Sequence, residues 1–339
     1  MKKMLVIAAL LAVMLPLAAA EKDGRWFVDL TWNYDQPAGL DTIYAYAYGY
    51  GALNGNTYVV NTKTFDTNTP RAWSPEVRVG YETDAWKAWM SYYKFKKVGF
   101  SGAEVPAGYQ VLFNTLAAPS DGLFGDDGFV YGDTATARQN LRNVRWEVNA
   151  GRKFKPSEKW QLFFYGGLSY FKVSNDIRVI YGDTFDYNNW GPGSTDEVRL
   201  QSNSSGYGIQ GGLISSIYIG SRFTISGGIE LGLTHAKRNN TQSEFVWSTL
   251  YSPYYGALGT WRASHSTSKV LPTAKIFVET EVKLSEHFYG KVGYKFRTIK
   301  DAFSYTKLTN DYPFGAFGYV EQTKDVGFDG GYFTIGFKF

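Results

Sequence analysis

Gly331-Tyr332-Phe333-Thr334-Ile335-Gly336-Phe337-Lys338-Phe339 closes the sequence. Phe333, Ile335, Phe337 and Phe339 fall on one face at a period of two, and Tyr332, Thr334, Gly336 and Lys338 fall on the other. That is a β-strand with an apolar face and a mostly polar one. Such a strand is a liability at a sheet edge unless its backbone groups find a partner.

The same alternation runs through the chain. Trp26, Val28, Leu30, Trp32 and Tyr34 alternate with Arg25, Phe27, Asp29, Thr31 and Asn33. Tyr44–Gly51 and Thr57–Phe65 flank Asn54-Gly55, a strong hairpin signal. Val77, Val79 and Tyr81 alternate with Glu76, Arg78 and Glu82. Trp86 to Phe95 reads as a strand of ambiguous facing, because Trp86 and Trp89 lie on opposite sides. Six further apolar rows begin at Val144, Trp160, Tyr207, Phe223, Ala274 and Phe288. Tight turns at Thr83-Asp84, Lys155–Glu158, Gly220-Ser221 and Ser285–His287 alternate with long polar segments, about 97–140, 176–204, 236–268 and 301–325.

Short turns at one end and long loops at the other are the pattern of transmembrane barrels, in which closure satisfies every strand edge. The expected fold is an all-β, transmembrane, antiparallel up-and-down barrel. It has twelve strands if the Tyr44–Phe65 hairpin spans, the favoured count, and ten if that hairpin is external. Both counts are even and place both termini in the periplasm.

Composition agrees. Aromatic residues make up 18%, charged residues only 19%, with 37 Gly and no Cys. Lys2-Lys3, the apolar stretch Met4–Leu17 and Ala18-Ala19-Ala20 predict a signal peptide over 1–20, leaving a barrel domain over 21–339. No later segment is apolar for long enough to be a helical span. A net charge of +4 does not suggest a nucleic-acid partner.

A chain ending on an aromatic after such a strand resembles the C-terminal signal of bacterial outer-membrane barrels. That likeness implies recognition of Phe333, Ile335, Phe337 and Phe339 by the barrel-assembly machinery. Three stretches resemble the Legionella-type major outer-membrane protein, a pore-forming family. They are Leu30-Thr31-Trp32 with Ala38-Gly39-Leu40, then Trp73–Tyr81 with Trp86 and Tyr92, and the Val144–Tyr170 hairpin with its inward Glu147. The resemblance implies a pore-forming protein of the Gram-negative outer membrane. The absence of Cys means that an inter-subunit disulfide linkage does not carry over.

Alternation assigns the lumen. Arg78, Arg145, Lys275, Lys291, Lys295 and Arg297 point inward with Glu147, Glu230, Glu279 and Glu281. Arg25, Arg222, Lys283, Lys338, Asp29, Glu76 and Glu82 share that parity, giving ten cations against seven acids. Across the Ser285–His287 turn, Glu281 is predicted to face Lys291, Glu279 to face Gly293, and Lys275 to face Arg297. Two cations side by side suggest an anion-attracting constriction. The alternative, favoured for a narrow barrel, is that loop acids or other strands neutralise them in a packed lumen.

Other chemistry finds little support. Omptin proteases use an Asp-x-His pair, but the equivalent rim here reads Leu233-Thr234-His235. The remaining histidines, His265 and His287, have no nucleophile oriented beside them. Gly125–Gly128 and Asp183–Asp186 lack the distal Glu of a calcium loop. Trp190, Trp247, Tyr251, Tyr254, Tyr255 and Trp261 read as loop packing or as a sugar-stacking vestibule. No catalytic residue, cofactor or metal is expected. The expected function is passive diffusion of small hydrophilic solutes through a narrow charged lumen. The alternative is a closed barrel acting through its loops as an adhesin, receptor or structural protein. Expected partners are outer-membrane lipid and lipopolysaccharide and the assembly machinery, with a homo-oligomer left open.

Overall fold

The computed structural model describes residues 24–40, 43–53, 56–67, 69–104, 111–114, 131–132, 134–182, 195–248, 256–311 and 316–339. The expected signal peptide lies outside these residues. The strands are β1 (Arg25–Ala38), β2 (Ile43–Leu53), β3 (Asn56–Asp66), β4 (Ala72–Glu82), β5 (Trp86–Glu104), β6 (Val111–Asn114) and β7 (Tyr131–Gly132). They continue with β8 (Thr134–Ser157), β9 (Trp160–Gly182), β10 (Thr195–Ile219), β11 (Phe223–Ser248), β12 (Gly256–Lys283), β13 (Phe288–Asp311) and β14 (Ala316–Lys338).

Ten strands close into a ring in the order β1-β14-β13-β12-β11-β10-β9-β8-β5-β4, every pair antiparallel. The terminal stretch finds its partner in the first strand: Leu30 faces Ile335 and Trp32 faces Phe333. Trp32 and Phe333 stack at 4.8 Å. The Trp26 and Phe339 backbones exchange two hydrogen bonds of 3.0 Å, completing the seam.

The favoured count of twelve is corrected to ten. β2 and β3 pair antiparallel, with Leu53 facing Asn56 on either side of Asn54-Gly55, which lie outside the described residues, but the two strands join β6 and β7 in a separate four-stranded sheet. The reason is that β1 pairs directly with β4 from Arg25↔Glu82 to Asp35↔Ala72, leaving no edge between them to receive two more strands.

The long loops are also shorter than the sequence pattern suggests. β5 runs on to Glu104, β8 starts at Thr134, and β9 and β10 stay paired from Tyr207↔Tyr170 to Thr195↔Gly182. These extensions were hidden because the strands change phase. In β9, Phe164, Leu168 and Tyr170 point outward while Tyr165 and Ser169 point inward and are buried. Beyond Tyr170, Lys172, Asp176 and Arg178 take the outward side, and Phe171, Val173, Ile177 and Val179 are buried inside. Alternation persists, with the polarity of the two faces exchanged.

The barrel therefore has two storeys. Near the short turns the outer face is apolar, with Leu168, Ile209, Leu231 and Val292 each about three-fifths exposed. Its interior there carries the charged residues together with an aromatic cluster of Phe27, Trp89, Phe163 and Tyr165. Beyond that band the outside is polar, and the inside holds clusters built on Phe95, Leu141, Leu271 and Phe303, and on Ile177, Val179 and Tyr181. Trp86 and Trp89, ambiguous in sequence, divide accordingly. Trp86 faces out, and Trp89 packs inside against Phe163 and Tyr165 at 5.8 and 5.1 Å.

Candidate functional site in the barrel lumen

Parity brings the charged residues together from strands far apart in sequence. Arg145 on β8 lies 2.5 Å from Glu147 and 3.0 Å from Glu230 on β11. Arg297 on β13 reaches the same Glu147 at 3.6 Å. Lys295 pairs with Glu76 on β4 at 2.6 Å, and Arg78 stands between Glu76 (3.4 Å) and Asp29 (3.7 Å). Lys291 spans Glu279 (3.4 Å) and Glu281 (3.2 Å). Arg145, Glu147, Glu230, Lys275, Lys295 and Arg297 are all buried.

The predicted register across the Ser285–His287 turn is the observed one: Glu281 faces Lys291, Glu279 faces Gly293, and Lys275 faces Arg297. Of the two facing cations, Arg297 is answered by Glu147 from another strand, as Lys295 is by Glu76, whereas Lys275 has no carboxylate within 4 Å among the described residues and lies over the Phe277 ring at 5.7 Å. At interior dielectric such pairs interact far more strongly than on a wet surface, and removing one partner strands the other.

Polar residues that alternation alone did not single out complete the network. Tyr332 donates to Glu279 at 2.7 Å, Tyr165 to Glu230 at 2.9 Å, and Tyr289 to Asp29. Tyr93 donates to Asp35 at 2.7 Å, and Ser74 bonds the same carboxylate. Gln210 accepts from Arg145 at 3.1 Å and donates to Asn149 at 2.8 Å. Glycine makes room for two of the tyrosines. A Cβ at Gly293 would stand 2.7 Å from the Tyr332 ring, and one at Gly336 would overlap that of Tyr289. The signal available in sequence was Tyr at inward parity across from Gly on the neighbouring strand: Gly293↔Tyr332 and Tyr289↔Gly336.

On the short-turn side a cavity of about 360 Å³ remains, bordered by Glu76, Lys275 and Lys295 and by Glu82, Lys153 and Lys338. Glu82 there gathers Lys338, Lys87 and Lys153 at 2.5, 3.1 and 3.6 Å.

On the other side of the charged layer the wall folds across its own lumen. Between Ile299↔Val326 and Phe303↔Lys324, three residues of β13 oppose one of β14. The bulge is turned by Asp301, the one described non-glycine residue with positive φ (52°). It carries Ala302–Ser304 inward to strands that are not its neighbours in the ring. Ser202 of β10 donates to the Ser304 carbonyl at 3.1 Å, and Ser204 donates to that of Ala302. Asn240 of β11 donates to the Ser304 hydroxyl at 3.1 Å. Phe303, with no exposed surface, sits among Phe95, Leu141, Leu271 and Phe328. Neither the bulge nor the apolar layer was expected. A sequence period of two does not register three residues facing one.

The histidines are dispersed. His235 points outward beside Tyr207 and Val270, the His265 backbone N–H donates to Asn240, and His287 Nδ1 lies 2.9 Å from the Lys338 carbonyl. No group of three His, Asp or Glu placed to hold a metal occurs among the described residues. Gly125–Gly128, Asp183–Asp186 and the side chains of the six loop aromatics lie outside those residues.

No protein-family model matches the chain, and no curated protein matches it. Among solved structures it is similar to the outer-membrane protease OmpT of Escherichia coli, at 10% identity over 93% of this chain and 97% of that one, with a TM-score of 0.49. It is similar also to the translocator domain of the autotransporter NalP of Neisseria meningitidis, at 10% identity over 98% and 95%, with a TM-score of 0.36. A major outer membrane protein of Thermus thermophilus aligns at 9% identity over 93% and 99%, with a TM-score of 0.28. At such scores these likenesses leave the architecture to be read from the chain's own pairing, which defines a closed ten-stranded antiparallel barrel.

Proposed function

We propose that the protein is a closed outer-membrane barrel that holds a β-structured extension above the bilayer and acts through that outer part, as an adhesin, receptor or structural element. The lipid-facing surface is the apolar band around the short-turn half, which shows the outward-apolar alternation that a membrane barrel requires. The expected signal peptide and the terminal aromatic strand agree with this location. Arg25 and Phe339 both lie on the short-turn side, in the periplasm.

The observation that carries the reading is the bond set from β10 and β11 across to the β13 bulge, with Phe303 packed behind it. Hydrogen bonds between non-neighbouring strands occupy space that a solute path through the lumen would need. The pairing of the lumen charges adds a second barrier, because an ion entering that layer would have to displace a partner already in place. Diffusion of small solutes, the expectation from sequence and from the Legionella-type resemblance, is therefore the weaker reading.

Single-channel recording of the purified chain in a planar bilayer tests this directly. The expected record is flat. Regular current steps at modest voltage would overturn closure.

A further inference from the structure

On the outward face of β5, β8 and β9 the apolar band ends in three neighbouring rings. Tyr92 faces Trp146, and Trp146 faces Tyr170. Tyr92 and Trp146 are 4.5 Å apart between centroids. The next two outward positions on these strands are cationic where they are charged at all. The first holds Lys94, Val144 and Lys172, and the second holds Lys96, Arg142 and Ser174. Lys94, Lys96, Arg142 and Lys172 are all exposed.

None of these four cations has a carboxylate partner among the described residues, and no acid occupies either row. Lys96 and Arg142 stand directly opposite each other across the strand pair, an arrangement that costs stability when nothing neutralises it. Farther out on the same face the arrangement differs. There Arg178 holds Glu197 in two bonds of 2.6 Å, and Arg199 holds Asp176 at 2.9 and 2.7 Å. In the outer rows Arg178 and Arg199 carry counter-ions and Arg138 lies over the Phe100 ring at 5.5 Å, whereas the rows next to the apolar band hold no acid.

We infer that Lys94, Lys96, Arg142 and Lys172 form a binding site for the phosphate groups of an outer-leaflet glycolipid, whose acyl chains lie against Tyr92, Trp146 and Tyr170. Spacing suits a phosphate. Strand neighbours are about 4.8 Å apart and alternate residues about 6.8 Å, so these long side chains converge on one anion. An amphiphile is the occupant because the cations border an aromatic and apolar surface, the place where a headgroup meets its own chains. Arg142 supplies a planar fork and the lysines supply point charges.

This inference rests on the membrane reading, so the experiment begins with insertion. The full chain is refolded into vesicles of zwitterionic lipid, and failure to insert would count against the membrane reading itself. Inserted protein is then titrated with lipid A, with dephosphorylated lipid A and with inorganic pyrophosphate, following tryptophan fluorescence. Lipid A is expected to bind at least tenfold tighter than its dephosphorylated form, and more weakly as salt rises. At about fivefold per cation near an anionic headgroup, K94Q/R142Q/K172Q should lose roughly a hundredfold. The control R222Q/K283Q, at the short-turn end, should bind as the parent does. K172Q alone, expected to lose about fivefold, keeps the test available if the triple variant does not fold. Equal binding of dephosphorylated lipid, displacement by pyrophosphate at matched concentration, or equal loss in the control would each overturn the site.

Discussion

Replacing Glu147 by Met separates a closed lumen from an open one by stability alone. Glu147 holds two cations, Arg145 at 2.5 Å and Arg297 at 3.6 Å, and all three are buried. Arg145 keeps Glu230 at 3.0 Å when Glu147 is removed. Arg297 has no second ion pair among the described residues and is left with the Tyr93 ring, 5.1 Å away. The variant therefore strands one buried guanidinium, which costs about 3–5 kcal/mol. In a hydrated pore the same pair would behave as a solvent-exposed one, worth about 0–1 kcal/mol. With a urea dependence of about 2 kcal/mol per molar, the closed lumen predicts a midpoint lower by about 1.5–2.5 M, against at most about 0.5 M for an open one. The assay is reversible unfolding from lipid vesicles in urea, read by tryptophan fluorescence. E147M/R297M, which removes the stranded charge too, should recover most of the loss. A midpoint for E147M within a few tenths molar of the parent would refute the claim that these charges are shielded from water.

Deleting Lys300 and Asp301 leaves one residue of β13 opposite one of β14 and withdraws the fold across the lumen, so this deletion combined with E147A/R297A, which empties part of the charged layer, should conduct in a planar bilayer where the parent does not. F303A should remain closed to solutes yet lose about 3–5 kcal/mol of unfolding free energy, because a fully buried ring is removed from the apolar layer. Asp301 lies beyond the apolar band, where bonds from Lys269 Nζ (2.9 Å) and the Thr323 hydroxyl (2.8 Å) hold its carboxyl below the usual aspartate range. Its contribution is full above the unfolded value near 3.9 and fades as pH falls through the lower folded value. D301N should therefore flatten the acid limb of a pH–stability curve, and an unchanged limb would remove Asp301 from that account. F339A retains the two backbone bonds with Trp26, so refolding in detergent should be unaffected while the heat-shifted folded band from cells diminishes if the terminal ring is read during assembly.

The legible part of the fold was whatever repeats with period two and one polarity. The short turns, the inward charges and the pairings of Glu281 with Lys291 and of Lys275 with Arg297 followed from parity, because a one-residue slip would put every charge on the apolar face. The number of ring strands did not follow. Asn54-Gly55 specifies a hairpin, but nothing local to a hairpin says which sheet it joins, and that was decided by β1 meeting β4. The outer storey was lost for a different reason. At Phe171 and Val173 the apolar residues move to the inward parity, and a reading that follows the apolar face loses the strand where the strand continues. Asp35 was missed as a lumen group because it sits past the apolar row of β1, although Tyr93 and Ser74 both bond it.

That exchange of phase explains why one ring has two kinds of interior. On the membrane reading a strand can offer lipid one face only, so within the apolar band the charged residues take the other face, where they share the interior with Phe27, Trp89, Phe163 and Tyr165. Most of the charge inside the ring is paired, as in the mutual arrangement of Arg145, Glu147, Glu230 and Arg297, and Lys275 lies instead over the Phe277 ring. Above the band, water takes over the outer face and accepts Lys172, Asp176 and Arg178, which frees the inner face to be apolar. The extension can then be held by ordinary hydrophobic burial, as in a soluble barrel. The β13 bulge lies in this upper interior, and Ile299 and Phe303 on either side of it pack into the apolar layer while Arg297 joins the charged one. On the proposed closed reading the seal lies where the two storeys meet, because the turn at Asp301 carries Ala302–Ser304 inward between the charged layer and the apolar one.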